Sequence, residues 1–124
     1  DGKQIRSWIY VYDHVQAIED LIFNGISGEE YNITAWNEIS NKIIVEKILD
    51  RLGKSKDLIE FVEDRPGHDF RYSMESKKIR SELKWEQEVE FKQGIKKTVE
   101  WYLDNKVWWK DISDETFSST PWKN

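Results

Sequence analysis

Trp8-Ile9-Tyr10-Val11-Tyr12 is an unbroken β-branched and aromatic run of strand length, and such a run predicts a strand. Asp13 follows it, a residue type suited to the N-cap of a helix. Val15, Ile18, Leu21 and Ile22 then fall on one helical stripe, so a helix is expected from about Asp13 to Asn24, with Gly25 as its left-handed C-terminal residue. After a turn at Gly28, Tyr31 to Thr34 reads as a second, short strand. Asn37 is placed to cap a second helix in which Ile39, Ile43, Ile44, Ile48 and Leu52 recur at near-helical spacing, and Gly53 ends it. Ile59-Glu60-Phe61-Val62 is a third strand candidate, while the Pro-Gly pair in Asp64-Arg65-Pro66-Gly67-His68-Asp69 rules out regular structure there. A short helix is expected from Ser76 to Leu83 and a longer one from Phe91 to Asn105, with Phe91, Ile95, Val99 and Tyr102 on one face. Trp101, Trp108 and Trp109 are expected to pack the end of the fold. Periodicity disappears from Lys110 to Asn124, which predicts an extended or frayed polar tail.

Strand, helix, strand, helix is the rhythm of an α/β layer. With 124 residues and 38% hydrophobic content there is material for one small domain. A charged fraction of 35% is high, but 14% aromatic residues argue for a folded chain. The net charge of -5 gives no reason to expect nucleic acid or an anionic membrane as a partner, so any bound anion needs a local basic cluster. The absence of cysteine removes thiolate chemistry and fits a reducing compartment, and two histidines leave little for a metal. No apolar stretch approaches the roughly 20 residues of a membrane span; a soluble, cytoplasmic protein is expected. Asp1-Gly2-Lys3-Gln4-Ile5-Arg6 carries no initiator Met and runs straight into the strand pattern, which reads as an internal cut.

No glycine-rich cofactor turn, P-loop or nucleophile triad is suggested. Asp13-His14 could be an acid/base pair, although an Asp at a helix start more often caps amides. The loop from Asp64 to Asp69 has two readings. Arg65 offers a planar five-donor fork, Pro66 fixes the backbone, Gly67 allows close approach and His68 adds a donor, which together make an anion clamp. Alternatively it is a tight turn in which Arg65 pairs with Asp64 or Asp69. Arg6 is a second anion candidate or a solvated surface group, and Asn41 either bonds a ligand or faces solvent.

Arg6-Ser7-Trp8-Ile9-Tyr10-Val11-Tyr12-Asp13-His14 resembles the R-D-W-L-Y-V-x-D-H segment of dTDP-glucose 4,6-dehydratases. These belong to the extended short-chain dehydrogenase/reductases. Gly28-Glu29-Glu30-Tyr31-Asn32-Ile33, Asn37-Glu38 with Asn41, and Asp64-Arg65-Pro66-Gly67-His68-Asp69 are similar to G-E-x-Y-N-I, N-E-x-x-N and D-R-P-G-H-D. Lys78-Ile79, Glu82-Leu83 and Trp85 resemble K-I-x-x-E-L-G-W. Phe91, Gly94-Ile95, Lys97-Thr98-Val99 and Trp101-Tyr102 resemble F-x-x-G-I-x-K-T-V-x-W-Y. The resemblance covers about Gly2 to Trp109. Three departures stand out: Ser7 replaces an Asp, Thr34-Ala35-Trp36 replaces a glycine-rich stretch, and Lys84 replaces a Gly.

The resemblance implies the C-terminal sugar-nucleotide-binding lobe of an NAD(P)-binding Rossmann-type fold, an incomplete sheet with packed helices. Residues 1–109 would form the substrate-binding region, with 8–34 contributing to the dinucleotide-binding sheet. It implies that Arg6, Arg65 and His68 bind the diphosphate of a dTDP-sugar, with Asn41 beside them. It further implies a homodimeric enzyme that converts dTDP-glucose to dTDP-4-keto-6-deoxyglucose for rhamnose-type deoxysugars. Its NAD and catalytic residues would lie in an N-terminal part that is absent here, so this chain alone should bind no cofactor and be inactive. The alternatives are part of a related nucleotide-sugar epimerase or decarboxylase, and a non-catalytic nucleotide-sugar-binding module.

Overall fold

The computed structural model describes residues 1–113 and 116. Its sheet consists of three two-residue strands: β1 (Ile5–Arg6), β2 (Ile39–Ser40) and β3 (Arg71–Tyr72), in the order β2-β1-β3. β1 runs antiparallel to β2, with Ile5 opposite Ser40, and parallel to β3, with Ile5 opposite Arg71. Around it lie α1 (Val11–Asn24), α2 (Asn41–Leu52), α3 (Lys77–Leu83), α4 (Phe91–Asp104) and the short α5 (Lys106–Trp109). The α/β class is as expected, and α3 and α4 lie within a residue of their expected bounds.

The strands are not the expected ones, and side chains explain why. Trp8 to Tyr10 is extended but unladdered, because the Asn37 amide takes the place of a strand partner. Its Oδ1 accepts from the Trp8 N–H at 2.9 Å, and its Nδ2 donates to the Trp8 carbonyl at 2.7 Å. Asn37 is therefore not the cap of α2. That helix starts at Asn41, and its first amides donate to main-chain carbonyls of the incoming segment, Asn41 to Gln4 at 3.0 Å and Lys42 to Gly2 at 2.8 Å.

Tyr31 to Thr34 likewise has no strand partner among the described residues. Its Thr34 carbonyl accepts from Ser76 Oγ at 3.3 Å and from the Arg80 guanidinium at 3.4 Å. Ile59 to Val62 is also unpaired among the described residues, and the third strand forms instead at the exposed Arg71-Tyr72, where Ile5 N–H donates to the Phe70 carbonyl at 2.8 Å.

Helix α1 begins two residues earlier than expected, at Val11, and Asp13 does not cap it. Asp13 is buried, and its two oxygens accept from the amides of Glu88 and Val89, each at 3.2 Å. Gly25 ends α1 with φ -69°, not in the left-handed region. Glycine fits there because a Cβ would stand 2.5 Å from the Leu21 carbonyl oxygen. Gly53 does take the left-handed conformation, with φ 62°.

The core gathers Ala17 of α1, Ile79 of α3 and Trp85, with Ile9, Leu21, Tyr31, Ile33 and Leu83 against them. Leu21 alone of the expected α1 stripe reaches it; Val15, Ile18 and Ile22 are exposed. Ile44 and Leu49 of α2 and Val99 of α4 are also buried, on two helices that pack against each other. Trp101, Tyr102 and Trp108 stack edge to face at the end of α4, and the Trp109 indole donates to the Tyr102 carbonyl at 2.8 Å. Most of the tail expected from Lys110 onward lies outside the described residues.

Candidate anion-binding groove

The sheet order brings the candidate residues together. Arg6 is the last residue of β1, Asn41 is the first residue after β2, and the loop from Asp64 to Asp69 ends just before β3. Pairing β1 with both neighbours therefore converges three stretches far apart in the sequence.

Asp64 is the hub of the loop. Its Oδ1 meets His68 Nδ1 at 2.6 Å and accepts from the Arg65 amide at 2.9 Å, while its Oδ2 accepts from Gln4 Nε2 at 2.6 Å. The His68 contact holds the Asp64 carboxyl below the ordinary carboxylate range; partial burial opposes this, and the Arg65 amide and Gln4 reinforce it. Gln4 is only 9% exposed, so this bond ties the loop firmly to the entry of β1. On the other side of the ring, His68 Nε2 lies 2.9 Å from the Arg6 guanidinium, which also donates to the Asp69 carbonyl at 2.9 Å.

The loop does turn, at Pro66-Gly67, but the Arg65 guanidinium pairs with neither Asp64 nor Asp69. Asp64 is occupied by the other donors, and the Arg65 guanidinium makes no ion pair among the described residues. It remains exposed on a groove of about 460 Å³ that Asn41, Lys42 and His68 also line. Gly67 carries φ 68°, a left-handed turn that a Cβ would strain and that brings His68 back over Asp64. Ser7 contacts Ser73, Oγ to Oγ at 3.3 Å, so the orientation of Arg6 comes from His68, the Asp69 carbonyl and the Ile5 carbonyl, to which its Nη1 donates at 2.6 Å.

Of the four sequence candidates, Asn41, Arg65 and His68 line one groove and Arg6 joins it through His68. Sequence reasoning missed Gln4 and Lys42. Gln4 precedes the strand without any motif, and Lys42 is one more lysine in a lysine-rich chain. The Asp13-His14 pair is not assembled, since Asp13 is turned inward and His14 is exposed. Among the described residues no three His, Cys, Asp or Glu side chains are grouped to hold a metal, and no helix is long and apolar enough to cross a membrane. The described residues do not fit a dinucleotide either, because no strand passes through a glycine-rich turn into a helix.

Residues 1–98 match the sequence model of the GDP-mannose 4,6 dehydratase family. The chain belongs to that family. Among members of this dehydratase family, the dTDP-glucose 4,6-dehydratase of Neisseria meningitidis serogroup B is 43% identical over 128 residues, covering 94% of this chain but 36% of the relative. The crystal structure of the Bacillus anthracis dTDP-glucose 4,6-dehydratase in complex with NAD superposes with a TM-score of 0.84 at 43% identity, covering 91% of this chain and 36% of that one. The Streptomyces venezuelae dTDP-glucose 4,6-dehydratase with NAD and TYD bound gives 0.86 at 36% identity, covering 91% and 35%. The chain thus spans about a third of the length of these dehydratases, and its α/β architecture is that of the corresponding part of them.

Proposed function

We propose that this chain is the sugar-nucleotide-binding part of a dTDP-glucose 4,6-dehydratase and that the groove holds the diphosphate of the substrate. The carrying observation is the convergence of an uncommitted Arg65 guanidinium with His68, Asn41 and the His68-bound Arg6 on one groove. In this reading Arg65 offers two parallel N–H bonds to phosphate oxygens, Arg6 and His68 supply donors from the facing wall, and Asn41 contributes an amide. These contacts persist from substrate to transition state. They position the hexose for chemistry carried by residues and NAD outside this chain, rather than lowering the chemical barrier themselves.

The test is Arg65→Ala in the complete protein. Calorimetric affinity for dTDP should fall about 10- to 100-fold, the loss of a charge-assisted pair, while turnover at saturating dTDP-glucose changes little. Unchanged affinity would remove Arg65 from the site. The purified 124-residue chain should show no turnover of dTDP-glucose, and formation of the 4-keto-6-deoxy product by it would place catalytic groups within this chain.

A further inference from the structure

The contacts of His68 define where its proton is. A guanidinium has donors and no acceptor, so the His68 Nε2 that lies 2.9 Å from Arg6 must be the accepting nitrogen. An ionised carboxylate only accepts, so Nδ1, 2.6 Å from Asp64 Oδ1, carries the hydrogen. Gln4 and the Arg65 amide fix that carboxylate from two further directions. The His68 side chain is 17% exposed, which leaves the ring little freedom to trade these partners for water. In this arrangement His68 is the neutral Nδ1–H tautomer, and part of the Arg6 donor fork is spent on its lone pair.

We infer that His68 takes up a proton at Nε2 when a diphosphate enters the groove, making anion binding proton-linked, with Asp64 and Gln4 as positioning residues. This rests on the diphosphate reading proposed above. Phosphate oxygens also only accept, so a bare Nε2 lone pair facing them repels them, whereas Nε2–H donates. The proton comes from solvent and stays on Nε2 while the ligand is bound. Loss of the lone pair releases the Arg6 N–H toward the same oxygens, and Arg6 retains its bond to the Asp69 carbonyl. Asp64 then faces an imidazolium through the Nδ1–H bond already in place.

Two charged groups contact the ring, Arg6 of β1 and Asp64 of the loop. The others that share its groove are Lys42 of α2, Arg65 of the loop, Glu60 and Glu63 of the preceding segment, and Asp1. Arg6, Lys42 and Arg65 oppose an imidazolium, and an anion between them removes that opposition. Carboxylate, ammonium and guanidinium side chains ordinarily keep their charge between about pH 6 and 8, and imidazole does not. The linkage therefore belongs to the histidine.

The measurement is calorimetric titration of the complete protein with the phenyl ester of dTDP, whose phosphates are both esterified and do not titrate in this range. Titrations in buffers of low and high ionisation enthalpy should differ in heat by the uptake of up to about one proton per ligand. The dissociation constant should rise roughly tenfold from pH 6 to pH 8. His68→Gln, which keeps a donor that cannot titrate, should abolish the buffer dependence and flatten the pH profile, and Asp64→Asn, which removes the charge behind the Nδ1–H, should move the profile to lower pH. Heats independent of buffer, or a pH profile unchanged in His68→Gln, overturn the proton linkage. The diphosphate reading then stands as long as Arg65→Ala weakens binding. Failure of the wild-type protein to bind the ester overturns both.

Discussion

Lys84 shows how one residue can carry the cost of a helix end. It closes α3 with φ 59°, where a side chain beyond glycine is strained by about 1 kcal/mol. Its amide donates to the Arg80 carbonyl at 3.1 Å and its Nζ to the Ser81 carbonyl at 2.8 Å, so the backbone stays in place for the sake of the cap. The glycine found here in the resembling motif suits the conformation without strain. Lys84→Gly should raise stability by about 0.5 kcal/mol, the relieved strain less the entropy glycine adds to the unfolded chain. A higher urea midpoint checks this, and a lower one would mean that the exposed Nζ contact outweighs the strain. The left-handed ends at Gly53 and Lys84 and the extended end at Gly25 also separate two uses of glycine that look alike in sequence. One needs the positive φ, and the other needs the missing Cβ.

At the scale of elements, the buried Asp13 carboxylate joins α1 to the Glu88-Val89 segment that leads into α4. Asp13→Ala should cost about 2 to 4 kcal/mol, because two amides lose their acceptor in a part-buried setting. Asp13→Asn, which keeps one acceptor, should cost less. Equal unfolding midpoints for the wild type and Asp13→Ala would show water replacing the carboxylate.

The helices were legible because period 3.6 survives over seven to fourteen residues. The strands were not, because two-residue pairings leave no period, and the apolar runs at 8–12 and 59–62 outweigh the exposed Arg71-Tyr72 in any pattern reading. The α1 stripe of Val15, Ile18 and Ile22 was visible, but periodicity does not say what a stripe packs against. Here it remains exposed. Of the site, Arg65 and His68 could be read from a compact loop, whereas Gln4, 60 residues from Asp64 in sequence, became visible only through the fold.

Across the whole molecule, three surface carboxylates hold distant segments together and share one pH signature. Glu29 accepts from Lys78 at 2.7 Å, linking the turn after α1 to α3; Glu38 takes Arg71 in two bonds across the sheet; and Asp64 takes His68 and Gln4. Each is held below the ordinary carboxylate range, Glu29 by its bond to Lys78, Glu38 by Arg71 and then Ser73, and Asp64 by His68. A carboxyl depressed in the folded state contributes stability that is present above its unfolded value and lost as pH falls through its folded one. Lys77, Lys78 and Arg71 are raised by Glu75, Glu29 and Glu38, so their share is present below their ordinary values and lost only in strong base. Exposure keeps each contribution small.

These carboxylates should therefore leave stability nearly flat from about pH 7 to 5 and lower it progressively below about pH 4. Urea midpoints at these pH values check the course, and Glu38→Gln should make the acid drop shallower by removing one of the three contributions. If wild type and Glu38→Gln lose stability equally on acidification, the Glu38–Arg71 tie across β2-β1-β3 contributes nothing. The sheet that assembles the groove would then be held by its backbone bonds and by the side-chain contacts of Gln4, Arg6 and Ser7.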